Sequence, residues 1–146
     1  MLLKELVEQK GRDVITVPEQ VSICEASRKM VEDNIGSILV INDEEAILGI
    51  LTERDLLKLC PQRYHDMGTI LVRDVMTRDV IVANTGDSLD VAEKLMTKNR
   101  IRHLPVLDQG KIAGLLSIGD IVKVKLDDLE VENRYLKDYI SGNYTS

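Results

Sequence analysis

Two short segments carry the residues best suited to chemistry. Thr52 and Asp55 stand three apart at the end of one apolar run, and Ser117 and Asp120 repeat that spacing at the end of another. A carboxylate offers two acceptors and no donor, which suits the neighbouring hydroxyls of a sugar diol such as ribose. The same residue types also make helix caps and stabilise turns. Both readings stand on the residues alone, because one carboxylate oxygen can cap a helix while the other faces a ligand. The hydroxyls of Thr52 and Ser117, with backbone N–H groups at a helix start, suit a ribose or phosphate oxygen. Arg102 and His103 precede a further apolar run. The forked donors of arginine match phosphate. Neighbouring strand residues point to opposite faces, so only one of this pair enters a given cleft unless a bulge turns both. A surface pair at a strand start is the alternative. Catalysis finds no support. There is no activated nucleophile, no His-x-x-x-His and no Gly-rich phosphate loop, and His65 and His103 lack partners for acid–base work. No catalytic residue and no metal site is expected.

The elements that hold these residues come in two copies. Arg12-Asp13-Val14-Ile15 recurs as Arg78-Asp79-Val80-Ile81, an offset of 66. The same offset joins Ser22 to Ser88, Ala26 to Ala92, Met30 to Met96, Ile35 to Ile101 and Val40 to Val106. One deletion later, Gly49-Ile50-Leu51-Thr52-Glu53-Arg54-Asp55 faces Gly114-Leu115-Leu116-Ser117-Ile118-Gly119-Asp120. A repeat running through a whole unit is an architectural signal, and by itself it implies no ligand.

Each unit reads as β-α-β-β-α. A short strand (14–17; 80–83) is punctuated by Pro18 or by Gly86-Asp87. The apolar positions Ile23, Ala26, Met30 and Leu89, Ala92, Met96 then fall on one helical face. Ser22 and Ser88 stand before them as N-caps. Two strands follow (38–41 and 47–51; 104–107 and 112–116), joined by polar turns as hairpins. A second helix is expected to begin after Asp55 and after Asp120. Leu2, Leu3, Leu6 and Val7 suggest a lead-in helix over 1–10, ended by Gly11. Residues 11–60 form the first unit, 61–77 a linker, 78–126 the second unit and 127–146 a C-terminal helix and tail. The fold class is α/β (α+β), as two tandem repeats.

Composition bounds the function. The 146 residues hold no Phe, no Trp and four Tyr, so the core is aliphatic and a bound base would lie between aliphatic side chains. The net charge of −6 opposes nucleic acid, which needs a basic footprint, and opposes an anionic membrane surface. No apolar run approaches membrane length, and Lys4-Glu5 interrupts any signal h-region. A cytoplasmic location is expected. Cys24 and Cys60 match no metal spacing and read as reduced core thiols.

This arrangement resembles a cystathionine-β-synthase (CBS) domain pair over residues 11–126. The motifs that carry the resemblance are Gly49 to Asp55, Gly114 to Asp120, and Arg102-His103-Leu104-Pro105-Val106 ahead of the second. Asp74-Val75-Met76-Thr77 and Ser117 to Lys123 also look like small free-standing bacterial or archaeal members. The resemblance implies two units packed about a pseudo-twofold axis, with two clefts between them that take AMP, ADP, ATP, NAD or S-adenosylmethionine. It implies a regulatory role toward a separate protein, and pairing into disc-like homodimers. It also favours a ribose role for the aspartates, Asp120 above all, and phosphate contact by Arg102 or His103. An interaction scaffold without a regulatory ligand is the alternative.

The clefts are expected to differ. The counterparts of Arg102 and His103 are the uncharged Gly36 and Ser37, and Gly119 stands where the first unit has Arg54. The principal nucleotide cleft is expected to hold Asp120, Ser117, Arg102 and His103, over a floor near Val17, Val21 and Ile35. The second would hold Thr52, Arg54 and Asp55, with a floor near Val82 and Ile101, and bind weakly or with different selectivity. In the tail, Val122, Leu126, Leu129, Asn133, Leu136 and Ile140 alternate by four and three, an a/d seam with one polar insert. Gly142 would stop this helix, and Tyr135, Tyr139 and Tyr144 add interface-prone aromatic area. A helix laid on its own module competes with a dimer or partner contact.

Overall fold

The protein is described by a computed structural model over residues 1–11 and 13–141. Arg12 of the repeated tetrapeptide, the expected stop at Gly142, and Tyr144 lie outside the described residues. Helix α1 (Leu3–Lys10) leads in. The first unit is β1 (Thr16–Pro18), α2 (Ile23–Glu32), β2 (Ser37–Ile41), β3 (Ile47–Thr52) and α3 (Glu53–Arg63). A 3-10 turn (Tyr64–Asp66) and α4 (Val72–Val75) follow. The second unit is β4 (Ala83–Asn84), α5 (Leu89–Asn99), β5 (His103–Asp108), β6 (Lys111–Ser117) and α6 (Ile118–Ser141).

The duplication reaches the backbone. Each unit has a three-stranded sheet, its first strand parallel to the second and the second antiparallel to the third. Irregularities fall between Val40 and Ile41 and between Val106 and Leu107, again 66 apart. Ser22 caps α2 by accepting the N–H of Glu25 at 3.1 Å, and Ser88 caps α5 by accepting that of Val91 at 3.3 Å. Asn34 and Arg100 both leave their helices at φ 53°. The first strands are shorter than expected and shifted toward their C-terminal ends. Only 16–18 and 83–84 reach the neighbouring strand, and Val14 and Ile15 instead line a cavity between the units.

The expected partition into lead-in, unit and linker is rearranged by packing. Leu3, Leu6 and Val7 of α1 are buried in the core of the second unit, beside Met96, Leu104 and Leu116. Ile70, Val72 and Met76, assigned to the linker from sequence, are buried in the core of the first, beside Ile23, Ile38 and Leu51. The docking bonds match. Leu89 N–H donates to Met1 O and Leu3 N–H to Asp87 O, each at 2.9 Å, as Ile23 N–H donates to Ile70 O and Val72 N–H to Val21 O. Each unit is therefore completed by the segment that leads into the other: residues 70–76, ahead of the second unit, close the first core, and the N-terminal helix, ahead of the first unit, closes the second.

Gly49 and Gly114 seat these segments. A Cβ at Gly114 would lie 2.9 Å from both Val7 methyl groups. One at Gly49 would lie 2.5 Å from Met76 Sδ and 2.8 Å from the Thr77 carbonyl oxygen, which the Ile50–Thr77 bridge holds in place. Gly49→Ala is therefore expected to cost about 1–3 kcal/mol, as overpacking does. Chemical denaturation checks this; an unchanged midpoint would show that the α4 segment moves freely.

Candidate functional site

Helices α3 and α6 begin earlier than the sequence reading placed them. Thr52 and Ser117, not the aspartates, are the caps, and Asp55 and Asp120 sit in the first turn. The Thr52 hydroxyl accepts Asp55 N–H at 3.3 Å, and Asp55 Oδ2 accepts Thr52 N–H at 2.9 Å. Ser117 and Asp120 repeat this at 3.2 Å and 2.7 Å. These are capping boxes, in which hydroxyl and carboxylate satisfy one another's backbone donors. One oxygen of each carboxylate is thereby committed to the turn.

The two aspartates then diverge. Lys10, at the end of α1, places Nζ 2.7 Å from Asp120 Oδ2 and 2.7 Å from the Leu115 carbonyl oxygen. In the first unit the corresponding strand position, Ile50 O, accepts the Thr77 backbone N–H at 3.0 Å. Burial acts to raise the Asp120 carboxyl, but the bonds from Lys10 and from Ser117 N–H outweigh it and hold it below the ordinary aspartate value. Lys10 is the residue that sequence reasoning missed. A lone lysine ending a helix reads as complementing the helix dipole, and its partner is 110 residues away.

Lys10 also lines a cavity of about 160 Å³ with Gly11, Asp13, Val14, Ile15, Ile35 and Leu115. Of the expected floor residues, Ile35 shares this cavity with Lys10. Val21 is half-buried against the first core. Val17 is 2% exposed and packs inside that core, because strand alternation turns it inward between Thr16 and Pro18. Val14 and Ile15 take its place at the cavity.

His103 opens β5 opposite Ser117, half-buried, while Arg102 is exposed and its carbonyl accepts Ile118 N–H at 2.8 Å. Gly36, the counterpart of Arg102, lies against this imidazole. A Cβ there would be 3.3 Å from His103 Cε1 and 2.5 Å from Glu53 Oε1. The missing side chain in the first unit thus makes room for the histidine of the second. Ser37, the counterpart of His103, is 1% exposed, and its hydroxyl has no hydrogen-bond partner among the described residues.

Burial pushes the His103 imidazole below its ordinary value. Glu53 and Asp120 oppose the shift, and Lys10 and Arg102 reinforce it. The unfolded chain therefore binds a proton near pH 6.5 that the folded chain takes up only at lower pH. This contribution is intact above about pH 6.5 and is lost as the pH falls from there toward the folded value. The urea midpoint is expected to drop between pH 7.5 and 5.5, and to drop less in His103→Gln. An equal drop in both would assign the loss to other groups.

The second set is less convergent. Thr52 and Asp55 are joined by their capping box, and Arg54 is exposed beside them. Ile101 is half-buried against the second core. Val82 lines a separate hollow of about 260 Å³ with Arg78, Val80 and Ile112, whose lining does not include Thr52, Arg54 or Asp55. A groove of about 570 Å³ runs between α2 and α3, lined by Met30, Val31, Leu56, Leu57 and Cys60. Cys60 is exposed there, not a core thiol, and Cys24 is half-buried; both are free. Among the described residues no helix is long and apolar enough to cross a membrane.

Comparison with known proteins agrees with this duplicated architecture. The family profile of the CBS domain matches residues 5–61 and 72–127. The fold is similar to that of the CBS-domain protein ATU1752 from Agrobacterium tumefaciens (TM-score 0.81, 38% identity, 86% of this chain and 99% of that one). It is similar to the CBS pair of protein MJ0100, solved with 5′-methylthioadenosine and S-adenosyl-L-methionine (TM-score 0.78, 25% identity, 88% and 98%). It is also similar to CBSX2 solved with AMP (TM-score 0.72, 26% identity, 86% and 96%). The chain spans from 42% to 62% of the length of three curated relatives that are 31% to 35% identical to it. Two matched repeats, each built as β-α-β-β-α and each completed by the segment that leads into the other, place this chain in the CBS-domain family as a tandem pair.

Proposed function

We propose that this CBS pair is a regulatory module that binds an adenine nucleotide in the cleft holding Asp120 and relays its occupancy to a separate protein. The observation that supports this most directly is the cluster at the mouth of the cavity. Lys10 lines the cavity with the apolar Ile35 and pairs with the Asp120 carboxylate at 2.7 Å, while His103 opens β5 opposite Ser117, the capping partner of Asp120, with Arg102 just before it. The capping box uses Asp120 Oδ2. Oδ1 is the oxygen proposed to accept a ribose hydroxyl, with Lys10 yielding its hold on Oδ2 to the second. Val14, Ile15 and Ile35 supply an aliphatic bed for the base, in a chain without Phe or Trp. AMP, 5′-methylthioadenosine and S-adenosylmethionine, bound by the similar pairs, share an adenosine, and that shared part fits this cluster.

AMP is the ligand proposed for this chain, because few cations border the cleft and one phosphate matches them. ADP, ATP, NAD and S-adenosylmethionine are the competitors. Thr52, Arg54 and Asp55 form a second site of lower affinity. The assembly proposed for the chain is a homodimer. The ligand shifts the relative setting of the two units only by as much as it binds one setting better. Isothermal titration of ligand-free protein with the five ligands tests the reading. Micromolar binding of one of them, with a stoichiometry near one per chain, is the expected outcome. Absence of binding by folded protein would favour a scaffold whose clefts carry no signal.

A further inference from the structure

The C-terminal helix carries an apolar face that its own chain does not cover. The first turns of α6 are anchored: Ile121 is buried, Val124 packs on the second core, and Lys125 Nζ lies 3.2 Å from both Asp90 Oδ1 and Glu93 Oε2. Beyond them the helix leaves the body. Val122, Leu126, Leu129, Leu136 and Ile140 are between 48% and 84% exposed. The alternative of a helix laid along its own module is therefore excluded for this stretch.

We propose that this face pairs in parallel with α6 of a second copy of the chain. The spacing sets Val122, Leu129 and Leu136 at d positions and Leu126, Asn133 and Ile140 at a positions, a seam about 28 Å long. Lys125 and Glu132 then occupy g positions, and Lys123, Glu130 and Lys137 occupy e positions. In a parallel pair each g residue meets the e residue five places further along the other helix. Lys125 meets Glu130 and Glu132 meets Lys137, so both encounters are attractive. The antiparallel pairing that sets position 133 against position 129 reverses this. It opposes Glu130 to Glu130, Glu132 to Glu132 and Lys123 to Lys137. It also sets Asn133 against a leucine, whereas the parallel register sets it against Asn133 of the second copy, which satisfies the amide and fixes alignment. The charges thus choose both occupant and direction. Lys125 is shared with Asp90 and Glu93, so Glu132–Lys137 is the pair that reads the interface alone.

This pairing is independent of the nucleotide reading. Sedimentation equilibrium on the full chain should give a dimer, and Leu129→Glu with Leu136→Glu should give a monomer whose thermal melt retains a folded body. Glu132→Lys should weaken the dimer about tenfold, since it turns two attractive encounters repulsive. Adding Lys137→Glu should restore it. With Cys24 and Cys60 changed to serine, Asn133→Cys should form an interchain disulfide under mild oxidation, because only the parallel register brings the two positions together. A monomeric parent chain overturns the proposal, as does a dimer that survives the double leucine substitution. Failure of the charge swap to rescue, or of the cysteines to link, overturns the parallel register.

Discussion

Leu3→Ala is expected to destabilise the second repeat, although residue 3 lies some eighty residues before that repeat's first strand. Leu3 is 0% exposed and shares a core with Leu89, Leu104 and Leu116. Helix α1 has eight residues. An isolated helix of that length is unstable in water, so tertiary burial holds it. Truncating a fully buried leucine costs about 2–5 kcal/mol through lost transfer energy and the cavity left behind. In a chain of this size that lowers Tm by roughly 5–15 °C. Leu57→Ala, at a leucine 73% exposed, should shift it little. Hydrogen exchange separates the units: protection should fall first in β4, β5 and β6 and persist in β1, β2 and β3. Equal loss in both sheets would show that the two cores unfold as one. Unchanged protection would show that α1 contributes nothing to the second.

The same contact explains what the sequence could and could not reveal. The repeat was legible because each unit is written twice: Ser22 and Ser88, Met30 and Met96, Ile35 and Ile101 hold matching places in matching elements. The strand pairs were legible from short apolar runs bounded by polar turns. Destination was not legible. Leu3, Leu6 and Val7 announce an amphipathic helix, but periodicity says nothing about which core receives it. Ile70, Val72 and Met76 lie in a stretch without a long period, so they read as linker although all three are buried. The helix starts were misplaced by three residues because Thr52 and Asp55, or Ser117 and Asp120, are each acceptable caps; only the reciprocal bonds decide which residue takes the role. Which way Val17 faces was not legible either, because the register of a strand only three residues long decides it, and that register turns Val17 into the first core. Lys10 carries no motif at all. Its importance comes from a fold that returns the end of α1 to the edge of β6.

Asp120→Asn is expected to lower nucleotide affinity by about ten- to a hundredfold. Charge-assisted hydrogen bonds contribute about 1.5–3 kcal/mol each, and about 1.4 kcal/mol corresponds to tenfold in affinity. The asparagine oxygen still accepts the Ser117 N–H, so the capping box survives. The amide places a donor where a ribose hydroxyl seeks an acceptor, and the charge that attracts Lys10 is gone. The stability cost should be small. The Lys10 and Asp120 side chains are 41% and 25% exposed, and pairs so accessible to solvent contribute at most about 1 kcal/mol. A loss of binding would therefore report on the ligand and not on unfolding. Asp55→Asn supplies the contrast. Its carboxylate bonds Thr52 N–H as Asp120 bonds Ser117 N–H, but in the other half of the molecule, so the tight site should be nearly unaffected. If Asp55→Asn abolishes binding while Asp120→Asn does not, the nucleotide occupies the opposite cleft. Lys10 would then be a strut between α1 and β6, and the asymmetry of the two sites would run in the reverse direction.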